Sequence, residues 1–354
     1  MSQTPEPIRV RVHDPDSVIA IVPHLLGFRP ENSLVVLGFG SPHLRVRLAF
    51  RYDLPGTGDR GVSQDIAAHA TGVLTGEHLT MAILVGYGDA RAMASVVGVV
   101  VPALTDGGIV VREALRVHEG RYWSCMCAEP SCCPPEGVPC DPDGHPAAAA
   151  LAAAGLTVHI NRATLAGTLA REPGSIEPMA EAIERAKQRA VRLTEEALSH
   201  PDGSDLMQPV ADAGRRSVRR AVTGSRRGTK LTDHDELAWL GFTLTDVRVR
   251  DDAWARMDPQ FHHAHQQLWR QLVRTLPDEF IPAPAALLAF TAWQAGDGAL
   301  ASIAIDRALA ADPGYPMARL LAEALHAGLP PSAAKLSMTP KQVAASYHKQ
   351  RARS

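Results

Sequence analysis

The sequence predicts an α/β protein: a layered mixed sheet domain followed by an all-helical domain with one tetratricopeptide-like helical hairpin. Three observations carry that prediction. Short apolar runs alternate with helical patterns through the first half, which is the rhythm of a layered sheet. Past residue 231 every periodic stretch is helical. And 354 residues exceed the usual size of one hydrophobic core, which favours two domains.

Taken in order, residues 8–12 read as a short strand, and Asp14 followed by Pro15 as the cap and first position of a helix. Val18, Ile21, Val22, Leu25 and Leu26 form its apolar stripe, and Pro23 should kink or shorten it. Residues 33–39 and 44–52 read as two strands joined by Gly40, Ser41 and Pro42. In the second, Arg45, Arg47 and Arg51 alternate with apolar neighbours, so one face should be wet. A helix at 62–74, a strand at 79–85, a helix at 90–104 and a strand at 109–117 follow, the apolar run from Met81 to Val85 suiting a buried central strand. Residues 146–154 should be helical, 156–160 a last short strand, and 176–198 a long amphipathic helix with Met179, Ile183, Ala186 and Ala190 on one side.

The pattern then breaks into GRRSVRR and GSRRGTK, which reads as a linker or exposed basic helix. Thr232 or Asp233 can cap the next helix. Helices are expected at 252–257, 260–276, 284–295, 300–310 and 317–326. The pair spanning 284–310 resembles a tetratricopeptide unit, with Gly296 at its turn and Ala299 and Ala304 allowing close approach. One unit makes a hairpin, not a solenoid. The resulting division is an α/β domain carrying the cysteine loop over 1–200, a basic linker over 201–230, a helical domain over 231–331, and a polar tail over 332–354.

A formal charge of −2 gives no global attraction to nucleic acid or to an anionic membrane, so any polyanion site must be a local patch. The start MSQTPEPIRVRV has no apolar core of a signal peptide, and no run of eighteen apolar residues could span a bilayer, so a cytoplasmic location is expected. Arg215, Arg216, Arg219, Arg220, Arg226, Arg227 and Lys230 could touch phosphates, but without interleaved aromatics a solvated linker is the favoured reading and nucleic acid is disfavoured. His262, His263 and His265 lack the spacing of a zinc-binding helix and read as exposed surface. The turn from Gly86 to Asp89 lacks a full phosphate-binding motif, and Asp89 reads as a helix cap.

All five cysteines fall within WSCMCAEPSCCPPEGVPC, residues 123–140. Such a cluster can bind a metal, form a disulfide, or react.

Four stretches together resemble an actinobacterial family known only as a domain of unknown function, number 4192. They are LLGFRPENSLVVLG at 25–38, GRYWSCMCAEPSCCPPEG at 120–137, VRVRDDAW at 247–254, and LLAFTAWQAGDGALASIAIDRALAADPGYPMARLL near the end. The resemblance covers most of the chain and implies an intracellular protein, with no activity to carry over. It also implies that the shared cysteines are Cys127, Cys132 and Cys133, beside Trp123, Pro134, Pro135 and Gly137, whereas Cys125 and Cys140 depart from the pattern.

Three soft thiolates suit zinc or an iron–sulfur cluster, with Cys125, Cys140, His118 or His145 as a fourth ligand. The alternatives are a disulfide from Cys127 to one of the vicinal pair, or thiols that merely pack. His118, Glu119, Glu136 and His145 are near in sequence, which is weak evidence for a catalytic dyad. The expectation is a non-enzymatic regulatory or scaffold protein that meets a protein partner through its helical domain, where Trp293 and Leu300 are the residues to disrupt. The alternative is an enzyme whose cysteine loop covers a pocket at the carboxyl ends of the strands.

Overall fold

The computed structural model describes residues 14–40, 45–56, 59–199, 205–329 and 338–351. The expected strand at 8–12 and most of the turn from Gly40 to Pro42 lie outside them. The chain divides into two compact units, Met1–Leu165 with Ala327–Leu329 and Ala166–His326 with Pro330–Ser354. That division falls well before the expected boundary near residue 200.

The first unit opens with helix α1 (Pro15–Leu26), which continues through Pro23. Asp14 and Ser17 form a reciprocal cap, with Ser17 N donating to Asp14 Oδ1 at 2.8 Å and Asp14 N to Ser17 Oγ at 3.2 Å. A six-stranded sheet follows in the order β2-β1-β3-β4-β5-β6. Its strands are β1 (Ser33–Gly40), β2 (Arg45–Asp53), β3 (Met81–Tyr87), β4 (Val110–His118), β5 (Arg121–Ser124) and β6 (Val138–Pro139). Among the six described strands β3 and β4 are the parallel pair, joined through helix α3 (Ala90–Asp106); β1 is antiparallel to both β2 and β3.

Every residue of β1 is buried, as expected of a central strand, while in β2 Arg45 and Arg47 are exposed and Arg51 is partly buried, its Nε donating to Ser33 Oγ at 2.6 Å. Helices α2 (Arg60–Gly76) and α3 cover one face, where Leu74, Leu84, Met93, Val96, Val100 and Leu104 form a core with Leu34 and Val36. The expected strand at 156–160 is a single bridge, Phe28 with His159, held by two backbone hydrogen bonds of 2.9 and 3.0 Å. One bridged pair leaves no ladder for a strand to extend. Helix α4 (Pro146–Ala153) precedes this segment, and the unit boundary falls inside short α5 (Arg162–Gly167).

The second unit is helical: α6 (Ile176–Leu198), α7 (Gln208–Arg226), α8 (His234–Thr243), α9 (Val247–Ala255), α10 (His262–Thr275), α11 (Pro282–Gln294), α12 (Gly298–Ala311), α13 (Pro316–His326) and α14 (Pro340–Arg351). Helix α7 occupies most of the stretch read as a basic linker. Its Val210, Ala211, Gly214, Ser217, Val218, Ala221 and Val222 are buried, a stripe at helical spacing built largely of small residues. Helix α11 is buried from Pro282 to Trp293, and α12 is capped by Asp297, whose carboxylate accepts from Leu300 N at 2.9 Å. These two form the expected hairpin. Trp293 and Leu300 are 6 % and 1 % exposed, so they hold the hairpin together instead of facing a partner. Part of the polar tail is helix α14, anchored by buried Val343 and by Tyr347 Oη, which donates to Asp251 Oδ2 at 2.5 Å.

Candidate metal centre

The cysteine loop is the connection of an edge hairpin, β5 to β6, that no apolar run announces. β4 turns into β5 through Glu119 and Gly120, both at positive φ (48° and 71°), the two left-handed positions that a tight two-residue hairpin turn needs. β5 then runs back along β4, pairing His118 with Arg121 and Leu115 with Ser124. Cys125 N donates to Ala114 O at 2.7 Å. The loop therefore leaves the sheet at the level of Ala114, short of the carboxyl end of β4 at His118.

Within the loop, side chains replace the missing ladder. Ser124 Oγ donates to Glu113 Oε1 at 2.8 Å and accepts from Met126 N and Cys127 N at 3.1 and 3.0 Å. Glu129 O receives Cys132 N at 3.2 Å and Cys133 N at 2.8 Å, which bends the chain so that neighbouring cysteines can share one side. Gly137 N closes the next turn onto Pro134 O at 2.8 Å. Trp123 is the wall behind it: its Nε1 donates to Pro135 O at 2.9 Å, and the Arg116 guanidinium lies 3.5 Å over its ring. Gly137 has φ 79°, and a Cβ there would overlap the indole.

The consequence is convergence. Cys127, Cys132 and Cys133 bring their sulfurs within 4.8 Å of one another, with 3.4 Å between Cys127 and Cys132 and 3.7 Å between Cys132 and Cys133. Hydrogen bonding from Cys133, from the Glu129 backbone and from Cys132 holds the Cys127 thiol below its ordinary pKa. The same bond to Cys127 raises Cys132, and it is the main cause that pushes Cys133 up to about 12. Cys127 thus ionises first, and its partners keep their protons in its field. A soft cation would displace those protons and collect three thiolates.

The other expected ligands do not join. Cys140 N bonds Gly120 O at 2.8 Å, which places Cys140 with the Glu119–Gly120 turn at the opposite end of β5 from Ser124, about 13 Å away at strand rise. His118 sits at that same end. His145 caps α4, its Nδ1 accepting from Ala147 N at 3.1 Å. Among the described residues no fourth His, Cys, Asp or Glu completes the group. The sulfurs border a cavity of about 160 Å³ closed by Tyr122, Trp123, Pro134, Pro135 and Val138.

Asp89 is a cap, as expected. Its Oδ1 accepts from Arg91 N and Ala92 N at 2.8 and 3.0 Å, and these backbone bonds hold its carboxyl below the usual range. His265 was expected at the surface and is fully buried.

A family model described as Domain of unknown function (DUF4192) matches residues 15–332. The chain belongs to the DUF4192 family. The match spans both the sheet with its cysteine loop and the helical hairpin, so both are parts of the DUF4192 region. No curated protein and no solved structure matches the chain. Among the described residues no helix is long and apolar enough to cross a membrane.

Proposed function

We propose that the protein is a non-enzymatic regulatory or scaffold protein whose cysteine loop folds around a zinc ion bound by Cys127, Cys132 and Cys133. The observation that carries this reading is the spacing of the sulfurs. Zinc–sulfur bonds of about 2.3 Å in a tetrahedron set neighbouring sulfurs about 3.8 Å apart, close to the 3.4 and 3.7 Å found here. Three thiolates outweigh the charge of a dication and blunt its acidity toward a substrate. A cavity of about 160 Å³ also falls below the roughly 300 Å³ at which small-molecule sites begin. The fourth position is open to water or to a donor from a partner, and the helical unit supplies the surface for protein contact.

The test is metal analysis with thiol counting on full-length protein purified without oxygen. One zinc per chain is expected, lost in C127S, C132S or C133S and retained in C125S and C140S. Metal-free protein with five equally reactive thiols would sink the proposal. The 3.4 Å contact supports a second, redox reading for the metal-free state. There, peroxide takes two electrons from Cys127 and Cys132, the two sulfurs bond, and the two thiol hydrogens leave with the peroxide oxygens as two waters. A mass loss of two hydrogens confined to that pair distinguishes it.

A further inference from the structure

The helical unit has a second concave site, unrelated to the cysteines. A cavity of about 450 Å³ lies against α7, with its other walls from the segment that follows α9 and from Pro340 at the start of α14. Arg219, Val222, Thr223 and Arg226 line it at i, i+3, i+4 and i+7, one face of α7. Arg256 and Asp258 also line it. Three arginines and one aspartate thus contribute to the wall.

The charges are unequally satisfied. Arg256 is committed to buried Asp252 through Nε at 2.6 Å and Nη2 at 2.9 Å. Arg226 has no acidic partner among the described residues. Its Nη2 donates to Arg256 O at 2.5 Å, its guanidinium lies 4.9 Å over Phe261, and its Nε is buried without an acceptor. Arg219 likewise has no ion pair among the described residues. Behind Arg226 stands His265, whose Nε2 is 3.5 Å from Arg226 Nη2 and accepts from Asp258 N at 3.3 Å. Burial and the Arg226 charge keep this imidazole neutral, so it adds no charge of its own, and the Nε2 that faces Arg226 is its acceptor. A half-buried cation without a counter-ion is costly, and an anion in the cavity would relieve that cost.

We propose that this cavity binds a small organic phosphate. A carboxylate is saturated by one guanidinium, as Asp252 is by Arg256, whereas tetrahedral phosphate accepts from several directions at once and suits the two arginines on one face of α7, Arg219 and Arg226. The volume exceeds what a free phosphate fills and lies within the range of small-molecule sites. Thr223 and Asp258 can meet hydroxyl groups of the organic part, and Met257, Pro259 and Pro340 can meet its apolar face.

Calorimetric titration of the full chain with ribose 5-phosphate, glucose 6-phosphate and AMP tests this, with ribose and glucose as phosphate-free controls. At least one phosphate should bind saturably at one per chain while its parent sugar does not. R219Q removes an exposed cavity arginine and should weaken that binding roughly tenfold, as expected for a lost charge-assisted contact. R216Q makes the same charge change outside the cavity and should leave binding within twofold. R226Q repeats the test from the half-buried position, with circular dichroism to show that it folds. The proposal is overturned if none of the three phosphates binds saturably, if R216Q weakens binding as much as R219Q, or if R219Q binds like the parent chain.

Discussion

Gly137→Ala tests whether the wall behind the thiols sets their geometry. Gly137 sits at φ 79°, and an added Cβ would lie 2.6 Å from Cζ2 and 2.8 Å from Nε1 of Trp123. Left-handed backbone costs an alanine about 1–2 kcal/mol. The indole must also swing away, losing its bond to Pro135 O and its stacking under Arg116. Those contacts are worth about 1 kcal/mol and about 0.5–1 kcal/mol. The sum, about 2.5–4 kcal/mol, is an upper bound on how far the metal-ready loop is disfavoured because relaxation recovers part of it, and about 1.4 kcal/mol is tenfold in affinity. Zinc binding by G137A should therefore weaken roughly 10- to 100-fold, as expected when the competent conformer becomes rare. Competition with a chromogenic chelator measures it. Trp123→Phe keeps a ring but drops the Nε1 bond, and should fall between the two. A G137A protein that holds zinc within twofold of the parent would falsify the claim that Trp123 and Gly137 position the sulfurs.

Two further predictions concern the helical unit. Asp252→Ala leaves Arg256 facing a buried gap where a two-point ion pair stood; breaking such a pair costs roughly 3 kcal/mol, so thermal unfolding should drop by about 6–12 °C, and a shift under 2 °C would show the pair to be ornamental. Burial depresses His265 from 6.5 to about 4, so the unfolded chain binds the extra proton first as pH falls. Stability is therefore full above pH 6.5 and declines toward pH 4, by as much as about 3 kcal/mol. Denaturant melts across that window should show the decline, and His265→Asn should lessen it; parallel pH profiles would refute the assignment.

The sheet was legible because its central strands carry their own signal. Residues 34–39 are uniformly apolar, and residues 45–51 set arginines among apolar neighbours, so burial on two faces or on one could be read before any pairing was known. Helix α6 matched its expected bounds because Met179, Ile183, Ala186 and Ala190 keep strict helical spacing. Helix α7 was misread because its inner face is alanine, glycine, serine and valine. Small residues pack a helix closely yet leave the sequence looking like a polar arginine tract. His265 was misread because the burial of one polar residue in a polar helix turn depends on what packs over it, and no spacing rule encodes that.

The convergence of Cys127, Cys132 and Cys133 was only half legible, and the reason bears on what the loop requires to fold. Their identity and spacing are visible, but the strands that deliver them span only Arg121–Ser124 and Val138–Pro139, too short to carry a pattern. The Glu119–Gly120 turn was the one local clue to a hairpin, since glycine in its second place permits the positive φ found there. Between these strands Gly137 is the only fully buried residue of the loop, so apolar burial contributes little to its order. What remains is a set of turns closed by Ser124, Glu129 and Pro134, the Trp123 wall, and the sulfurs. Hydrogen bonds of this kind contribute about 1 kcal/mol each against a comparable entropy cost per residue. A bound dication would supply the remaining stabilisation, because metal affinity in such a loop is also folding energy. On this argument the cysteines are the core of their loop, and removing the metal should loosen residues 125–137 while leaving the β1–β3–β4 sheet intact.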